Sequence, residues 1–424
     1  MGFLAARRTR AVPVIVTGLT ATLVALGGPP ADAVSPGAAS PPTAAAAPAP
    51  QAVTSGMHRS CSRPRPGAVG CLSVWRHARS RLVVASGPAR VGRATVTRPT
   101  EGYRPADIAA AYHLNTSTGI GQTIAVVDAY DNPRAEADLA VYRKAWRLPP
   151  CTSANGCFRK LNQRGGSTPP PSDVGWGIEI ALDIQAVSAT CPKCNILLIE
   201  ADDNSFGSIG QAVNTAVRLG ARVVSNSYGA DEFPGVLSLA TAYYTHPGVA
   251  QVAASGDAGF GPAQMPATFP SVIAAGGTSL SRKANGTWSE RAWEGSGSGC
   301  SEVVAKPAWQ QDTGCSMRTV ADLAALADPD TGFAIYDTYG LDPYGGWLVV
   351  GGTSVAAPLV AGMIGLAGNS YRLDSARYIY RHGHGLRDVT KGSNGTCDGS
   401  YLCQARRGYD GPTGLGSPQG VGAL

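Results

Sequence analysis

The chain has 424 residues, of which 44% are hydrophobic, with 54 glycines, 31 prolines and ten cysteines; that composition suits one large domain plus a smaller accessory segment and excludes a long helical bundle. The net charge of +6 combines unlike parts: residues 1–99 carry twelve arginines and a single acid, Asp32, and the rest of the chain is net acidic. The arginines are scattered and have few aromatic neighbours, so they argue against a nucleic-acid surface and for a basic pro-segment lying on an acidic mature domain.

Taken in chain order, Arg7, Arg8 and Arg10 precede an apolar run over residues 12–28, and Ala31-Asp32-Ala33 offers a small-x-small cleavage site. Residues 1–33 therefore read as a secretory signal peptide and the protein as secreted to the extracellular space. No later stretch is long and apolar enough for a stable membrane anchor. Residues 34–99 read as an Ala/Pro-rich linker followed by a short basic propeptide, and residues 100–424 as the main domain. The cysteines fall in couples at 61 and 71, 151 and 157, 191 and 194, 300 and 315, and 397 and 403. In an exported chain these suggest five short-range disulfides, although spacing alone leaves the pairing open. Cys191-Pro192-Lys193-Cys194 resembles half of a zinc site, but no second such pair accompanies it, so a structural bridge is the better reading.

Within the main domain, "TIAVVDA" (123–129), "NILLIEA" (195–201), "RVVSNSYG" (222–229), "VAQVAASGD" (249–257) and "VIAAGGTS" (272–279) have the near-continuous apolar character of buried strands. "EADLAVYRKAW", "GIEIALDIQAVSA" and "SIGQAVNTAVRLG" lie between them with helical spacing. The alternation predicts a parallel sheet covered on both faces, with the functional site at the carboxyl ends of the strands. Several strands end there in polar or glycine-rich turns, among them Asp128 and Ser255-Gly256-Asp257-Ala258-Gly259.

"GGTSVAAPLVAG" (351–362) displays Ser354 where a strand meets a buried helix, the setting of a nucleophile. A nucleophilic serine needs a base. Asp128 and Ser354 fit the outer positions of an Asp–His–Ser order, but the one histidine between them is His246, in the loop-like "YTHPGV". "WGIEIALDIQAV" offers an alternative: Glu179 and Asp183, four residues apart, share one helical face beside an apolar stripe of Ile180, Ile184 and Val187. Such a pair is either an exposed acidic face or, if buried, two carboxyls sharing a proton, one of which can take the proton of a serine in mildly acidic solution. Asp257 is either a turn former or, held protonated, a donor to a developing oxyanion.

The Glu179/Asp183 pair in "EIALD", Asp257 in "SGDAG" and Ser354 in "GGTSVAAP", in this chain order, resemble the sedolisin family of serine-carboxyl peptidases. The likeness extends through "GYRPADIAAAYHL", "CPKCNILLIEA", "SNSYG" and "GYDGPTGLGSPQG". It implies an α/β, subtilisin-like three-layer fold with a mostly parallel, doubly wound central sheet. It further implies a secreted, monomeric serine-type endopeptidase acting on protein or peptide substrates and on its own propeptide at acidic pH. Ser354 would be the nucleophile, Glu179 the general base and acid, Asp183 its orienting partner and Asp257 the protonated oxyanion donor. Ser225, Ser227 and Gly229 would bind the substrate backbone. A Ca2+ site would use the carboxylates of Asp388 and Asp410 and the carbonyls of Val389, Arg406 and Gly408, an all-oxygen set suited to calcium. The pro-region is much shorter than is usual in this family, Gly-Gly-Thr-Ser replaces Ser-Gly-Thr-Ser, and the cysteine couples are more numerous. A non-catalytic secreted protein with the same fold and a neutral Ser–His–Asp peptidase using Asp128 and His246 are the competing readings.

Overall fold

The computed structural model describes residues 56–84, 95–341 and 345–424, all within the compact unit Ala47–Leu424. The expected signal peptide and most of the Ala/Pro-rich linker lie outside the described residues.

The strands expected from apolar runs form the central sheet. In chain order these are β4 (Thr123–Ala129), β5 (Phe158–Asn162), β6 (Asn195–Ala201), β7 (Val223–Asn226), β9 (Ala250–Ala254), β10 (Val272–Arg282), β11 (Trp288–Ala292) and β12 (Leu323–Leu326). Between β7 and β9 the chain forms β8 (Tyr228–Asp231), and before all of them it forms β1 (His58–Arg59), β2 (Gly70–Cys71) and β3 (Val74–His77). The sheet runs β11-β10-β9-β7-β4-β6-β5, with β12 also on β10. Every pairing in it is parallel except β10 with β11. The chain leaves β4 toward β6 and β5, then crosses to β7 on its other side, so the order reverses beside β4 and opens a crevice at the carboxyl ends there.

Helices cover both faces, which is why the strands carry little alternation. On one face α1 (Ala135–Trp146), α2 (Val174–Thr190) and α4 (Thr353–Ala367) share a core with Ile124, Val126, Val252 and Ile273. On the other face α3 (Phe206–Arg218) packs with Ala125, Val127, Leu197 and Val224. Asp173 caps α2, its carboxylate accepting from the Trp176 amide at 2.9 Å. Every residue of α2 from Trp176 to Thr190 is buried, so its two acids have no solvent to face. The 222–229 run divides: β7 stays in the sheet, and after Ser227 the chain turns out to form β8, which pairs with β2 rather than with the sheet. Two further strands, β13 (Phe333–Asp337) and β14 (Gly346–Gly351), form a separate sheet with β3 and β1 in the order β1-β3-β14-β13.

All five disulfides join the neighbouring couples: Cys61–Cys71, Cys151–Cys157, Cys191–Cys194, Cys300–Cys315 and Cys397–Cys403. Among the described residues no helix is long and apolar enough to cross a membrane.

α2 and α4 pack tightly at Gly362, where a Cβ would lie 1.8 Å from the Thr190 hydroxyl. Gly362→Val is expected to destabilise the fold by about 3 kcal/mol through overpacking, read as a lower denaturant midpoint.

Candidate active site

Ser354 is the second residue of α4 and is fully buried. The turn feeding it from β14 passes through Gly352 at φ +101°, where a Cβ would lie 2.2 Å from the Leu72 carbonyl oxygen and 2.6 Å from Asp257 Oδ2. Glycine is required there both for the backbone angle and for the two oxygens that crowd it. Asp257, just beyond β9, accepts from the Thr353 amide and hydroxyl, both at 2.8 Å on Oδ1, and so caps α4. Its Oδ2 accepts no hydrogen bond from the described residues and lies against Gly352.

Glu179 and Asp183 project from one face of α2, as their spacing requires, and are fully buried. The reading of this pair as an exposed acidic face is therefore excluded. Asp183 Oδ2 accepts from the Ser227 hydroxyl at 2.7 Å. No hydrogen bond of ordinary geometry reaches Glu179, but the Ser354 and Ser73 hydroxyls lie beside it and favour its ionised form. Asp128, at the end of β4, is a third buried carboxyl, with neither oxygen hydrogen-bonded to a described residue. Burial is the first cause that holds all of these protons. It raises Asp128 to about 8, and it raises Glu179 and Asp183 well above the carboxylate range, with the Asp128 charge adding to both. Burial also lifts Asp257 to about 6, against the pull of the Thr353 donors and the Arg59 charge. Sequence reasoning gave Asp128 a role only in the rival histidine triad; that it completes the carboxyl cluster is a juxtaposition made only when β4 meets α2.

The cleft in front of Ser354 contains a strand of the chain itself. β2 pairs antiparallel with β8, Cys71 opposite Tyr228 and Gly70 opposite Gly229. The Leu72 amide donates to Ser354 Oγ at 3.2 Å and to the Ser227 carbonyl at 3.4 Å, while the Ser354 amide donates to the Leu72 carbonyl at 3.2 Å. Ser354 Oγ in turn donates to the Ser227 carbonyl at 3.1 Å. Of the residues expected at the cleft, Ser227 and Gly229 meet this strand, whereas Ser225 lies inside the sheet opposite Val126 and Val252. His246 lies before β9, at the end of the sheet opposite Asp257, with Nε2 at 2.9 Å from the Tyr243 carbonyl oxygen. It is nowhere near Ser354, so a histidine base is excluded by position.

A second group of predicted residues gathers near the C-terminus. Asp388 accepts from the Gly408 amide at 2.9 Å, and Asp410 accepts from the Arg406 amide at 2.9 Å and from Thr413. The two carboxylates are near enough to repel, which raises Asp410, although its burial is the larger cause. The carbonyls of Val389, Arg406 and Gly408 accept no hydrogen bond from described residues, and the Arg406 guanidinium turns away to the Gly399 carbonyl at 2.8 Å. Two carboxylates and three free carbonyls, with no imidazole or thiolate, form a donor set that fits a hard cation.

A serine at the head of a buried helix, crossed by a parallel sheet of this order, defines the class of subtilisin-like proteins. Consistent with this, the model of the Subtilase family (peptidase S8) matches residues 176–382. Kumamolisin of Bacillus sp. (strain MN-32) is 29% identical over 364 residues, covering 76% of this chain and 63% of the relative. Sedolisin of Pseudomonas sp. (strain 101) is 28% identical over 368 residues, covering 75% and 60%. The chain thus spans about three-fifths of the length of the curated relatives it matches. Among solved structures, Pseudomonas sedolisin, a serine-carboxyl proteinase complexed with two molecules of pseudo-iodotyrostatin, superposes with TM-score 0.64 at 26% identity over 75% of this chain and 96% of that one. Over about three-quarters of its length the chain is therefore similar to kumamolisin and sedolisin.

The buried carboxyls set a pH dependence of stability. The folded state keeps the Asp257 proton to about pH 6 and the Asp128 proton to about pH 8. The unfolded chain releases both near pH 4, so between these values the folded state binds more protons and stability falls as pH rises. Asp128→Asn is therefore expected to raise the thermal midpoint by more at pH 8 than at pH 5, measured by calorimetry in matched buffers.

Proposed function

We propose that the protein is a secreted serine-carboxyl endopeptidase that hydrolyses peptide bonds through an acyl-enzyme at acidic pH. The observation that carries this reading is the approach of Glu179 to the Ser354 hydroxyl in a buried site where no histidine competes for the proton. Glu179 takes the proton of Ser354 as Oγ adds to the substrate carbonyl, and returns it to the leaving amine. Asp183, bonded to Ser227 and next to Glu179, orients that carboxyl and shares its proton. The Ser354 amide, at the amino end of α4, and protonated Asp257 stabilise the oxyanion. Ser227 and Gly229 hold the substrate as an added antiparallel strand on β8, and Ser225 supports them from inside the sheet.

The pH dependence follows from these roles. Glu179 must be ionised and Asp257 protonated at the same time, and loss of the Asp257 proton, which burial holds to about pH 6, removes the oxyanion donor. Hydrolysis of denatured casein is expected to fall by about a thousandfold or more in Ser354→Ala and in Glu179→Gln. Asp257→Asn, which keeps a neutral donor, is expected to extend activity toward neutral pH. Full activity in Glu179→Gln would sink the carboxyl-base reading.

Asp388 and Asp410, with the carbonyls of Val389, Arg406 and Gly408, would hold one Ca2+, which would offset the repulsion of the two carboxylates and brace the C-terminal loops. With the ion bound at a hundredfold excess over its Kd, removal is expected to cost about 2.7 kcal/mol of stability. A chelator should lower the thermal midpoint, calcium should restore it, and Asp410→Asn should abolish the difference. We also read residues 1–33 as a signal peptide, 34–99 as linker and propeptide, and 100–424 as the peptidase domain of a monomer.

A further inference from the structure

The strand in the cleft is seated as a substrate would be. From Val69 to Ser73 every residue but Leu72 is buried, and Leu72 is partly so. Val69 is held by Asn204 through two hydrogen bonds, its amide to the Asn204 carbonyl at 2.9 Å and Asn204 Nδ2 to its carbonyl at 2.6 Å. Gly70 and Cys71 pair with β8, and the side chain of Leu72 lies over Gly229, where a Cβ would come within 3.2 Å of Leu72 Cδ1. The Leu72 carbonyl faces the Ser354 amide, so the bond presented for attack is Leu72–Ser73.

Both sides of that bond are tied together. On the acyl side, Cys71 is joined by its disulfide to Cys61. Next to Cys61, Ser60 donates its amide to the Ser73 carbonyl at 3.0 Å and accepts from the Ser73 hydroxyl at 2.6 Å. His58 and Arg59 then pair with Trp75 and Val74 in β1 and β3, and β3 is fixed in turn to β14. The leaving amine of Ser73 is thus held beside the acyl group by a closed loop made of one disulfide, two hydrogen bonds and a short ladder.

We propose, resting on the peptidase reading above, that residues 60–73 form a built-in inhibitor loop of this chain, with Leu72–Ser73 as its slowly cleaved bond and Cys61–Cys71 as the brace that keeps it slow. Ser354 Oγ adds to the Leu72 carbonyl carbon and its proton passes to Glu179. The Leu72–Ser73 C–N bond breaks and the proton goes to the Ser73 amine, leaving an ester on Ser354. Because the amine cannot leave, it attacks the ester and remakes the peptide bond more often than water hydrolyses it. Net hydrolysis, when water wins, leaves a Leu72 carboxylate and a new amino terminus at Ser73. The same seating indicates that the pocket over Gly229 takes an apolar side chain of leucine's size from other substrates.

The test compares full-length wild type, Ser354→Ala, Leu72→Asp and the double variant Cys61→Ser/Cys71→Ser at pH 5. Fragments are identified by N-terminal sequencing and activity is followed on denatured casein. Wild type should show a lag in casein hydrolysis that ends as the Ser73 terminus accumulates, and Ser354→Ala should show neither. The double variant should form the Ser73 terminus at least about tenfold faster, because without the disulfide the acyl end is no longer tied to the Ser60 segment that holds Ser73. Leu72→Asp, which keeps the disulfide, should hydrolyse casein without a lag and without a Ser73 terminus, because a charged side chain does not seat on an apolar pocket. The proposal is overturned if active wild type keeps the Leu72–Ser73 bond intact, or if the double variant processes at the wild-type rate. Should that variant not fold, as judged by circular dichroism, a wild-type lag in Leu72→Asp overturns it instead. Absence of casein hydrolysis in every variant would instead defeat the peptidase reading itself.

Discussion

Everything at this site depends on placing carboxyl groups where water cannot solvate them. Asp128, Glu179 and Asp183 are fully buried at the junction of β4 and α2, and Asp257 is nearly so at the head of α4. Ionising all of them together is prohibitive, so protons are retained and shared well above the pH at which free carboxyls lose them. A carboxyl in such a cluster can act as a base toward a serine, and one that keeps its proton can donate a hydrogen bond. The cost is borne by the surroundings: α2 is buried on every side from Trp176 onward, and α4 is almost wholly apolar.

The same architecture explains how the cleft is filled. After Ser227 the chain leaves the sheet, so β8 offers one free edge toward solvent-side strands, and β2 takes it. The short arginine-rich segment before the main domain is therefore part of the folded body through β1, β2 and β3, the last completing the sheet of β13 and β14. Arg59 from this segment also acts on Asp257, so its seating and the protonation of the site are electrostatically linked. So short a segment gains its order from the body it pairs with and from one disulfide.

Much of the fold was legible because the sheet is parallel and buried. "TIAVVDA" and "NILLIEA" are strands at the predicted bounds, Thr123–Ala129 and Asn195–Ala201, since a strand covered on both faces must be apolar throughout. The division of 222–229 was not legible, because the continuous run hides the point where the backbone turns out of the sheet at Ser227. The disulfides follow the cysteine couples because each joins near neighbours that short loops already bring together. The placement of β3 beside β14 joins residues more than 250 positions apart, and no local pattern marks such a pairing.

By itself the sequence singled out the candidate side chains: a serine at a strand-to-helix turn, two acids on one helical face, an aspartate among glycines, and no histidine at a usable position. Residue identity and the 3.6-residue period suffice for that. Whether Glu179 and Asp183 faced water or the core, that Asp128 joins them, and that Leu72 lies against Ser354 were decided by the tertiary structure alone. Burial and long-range strand pairing depend on how distant elements meet, and the proton-holding power of a carboxyl is a property of that meeting rather than of the residue.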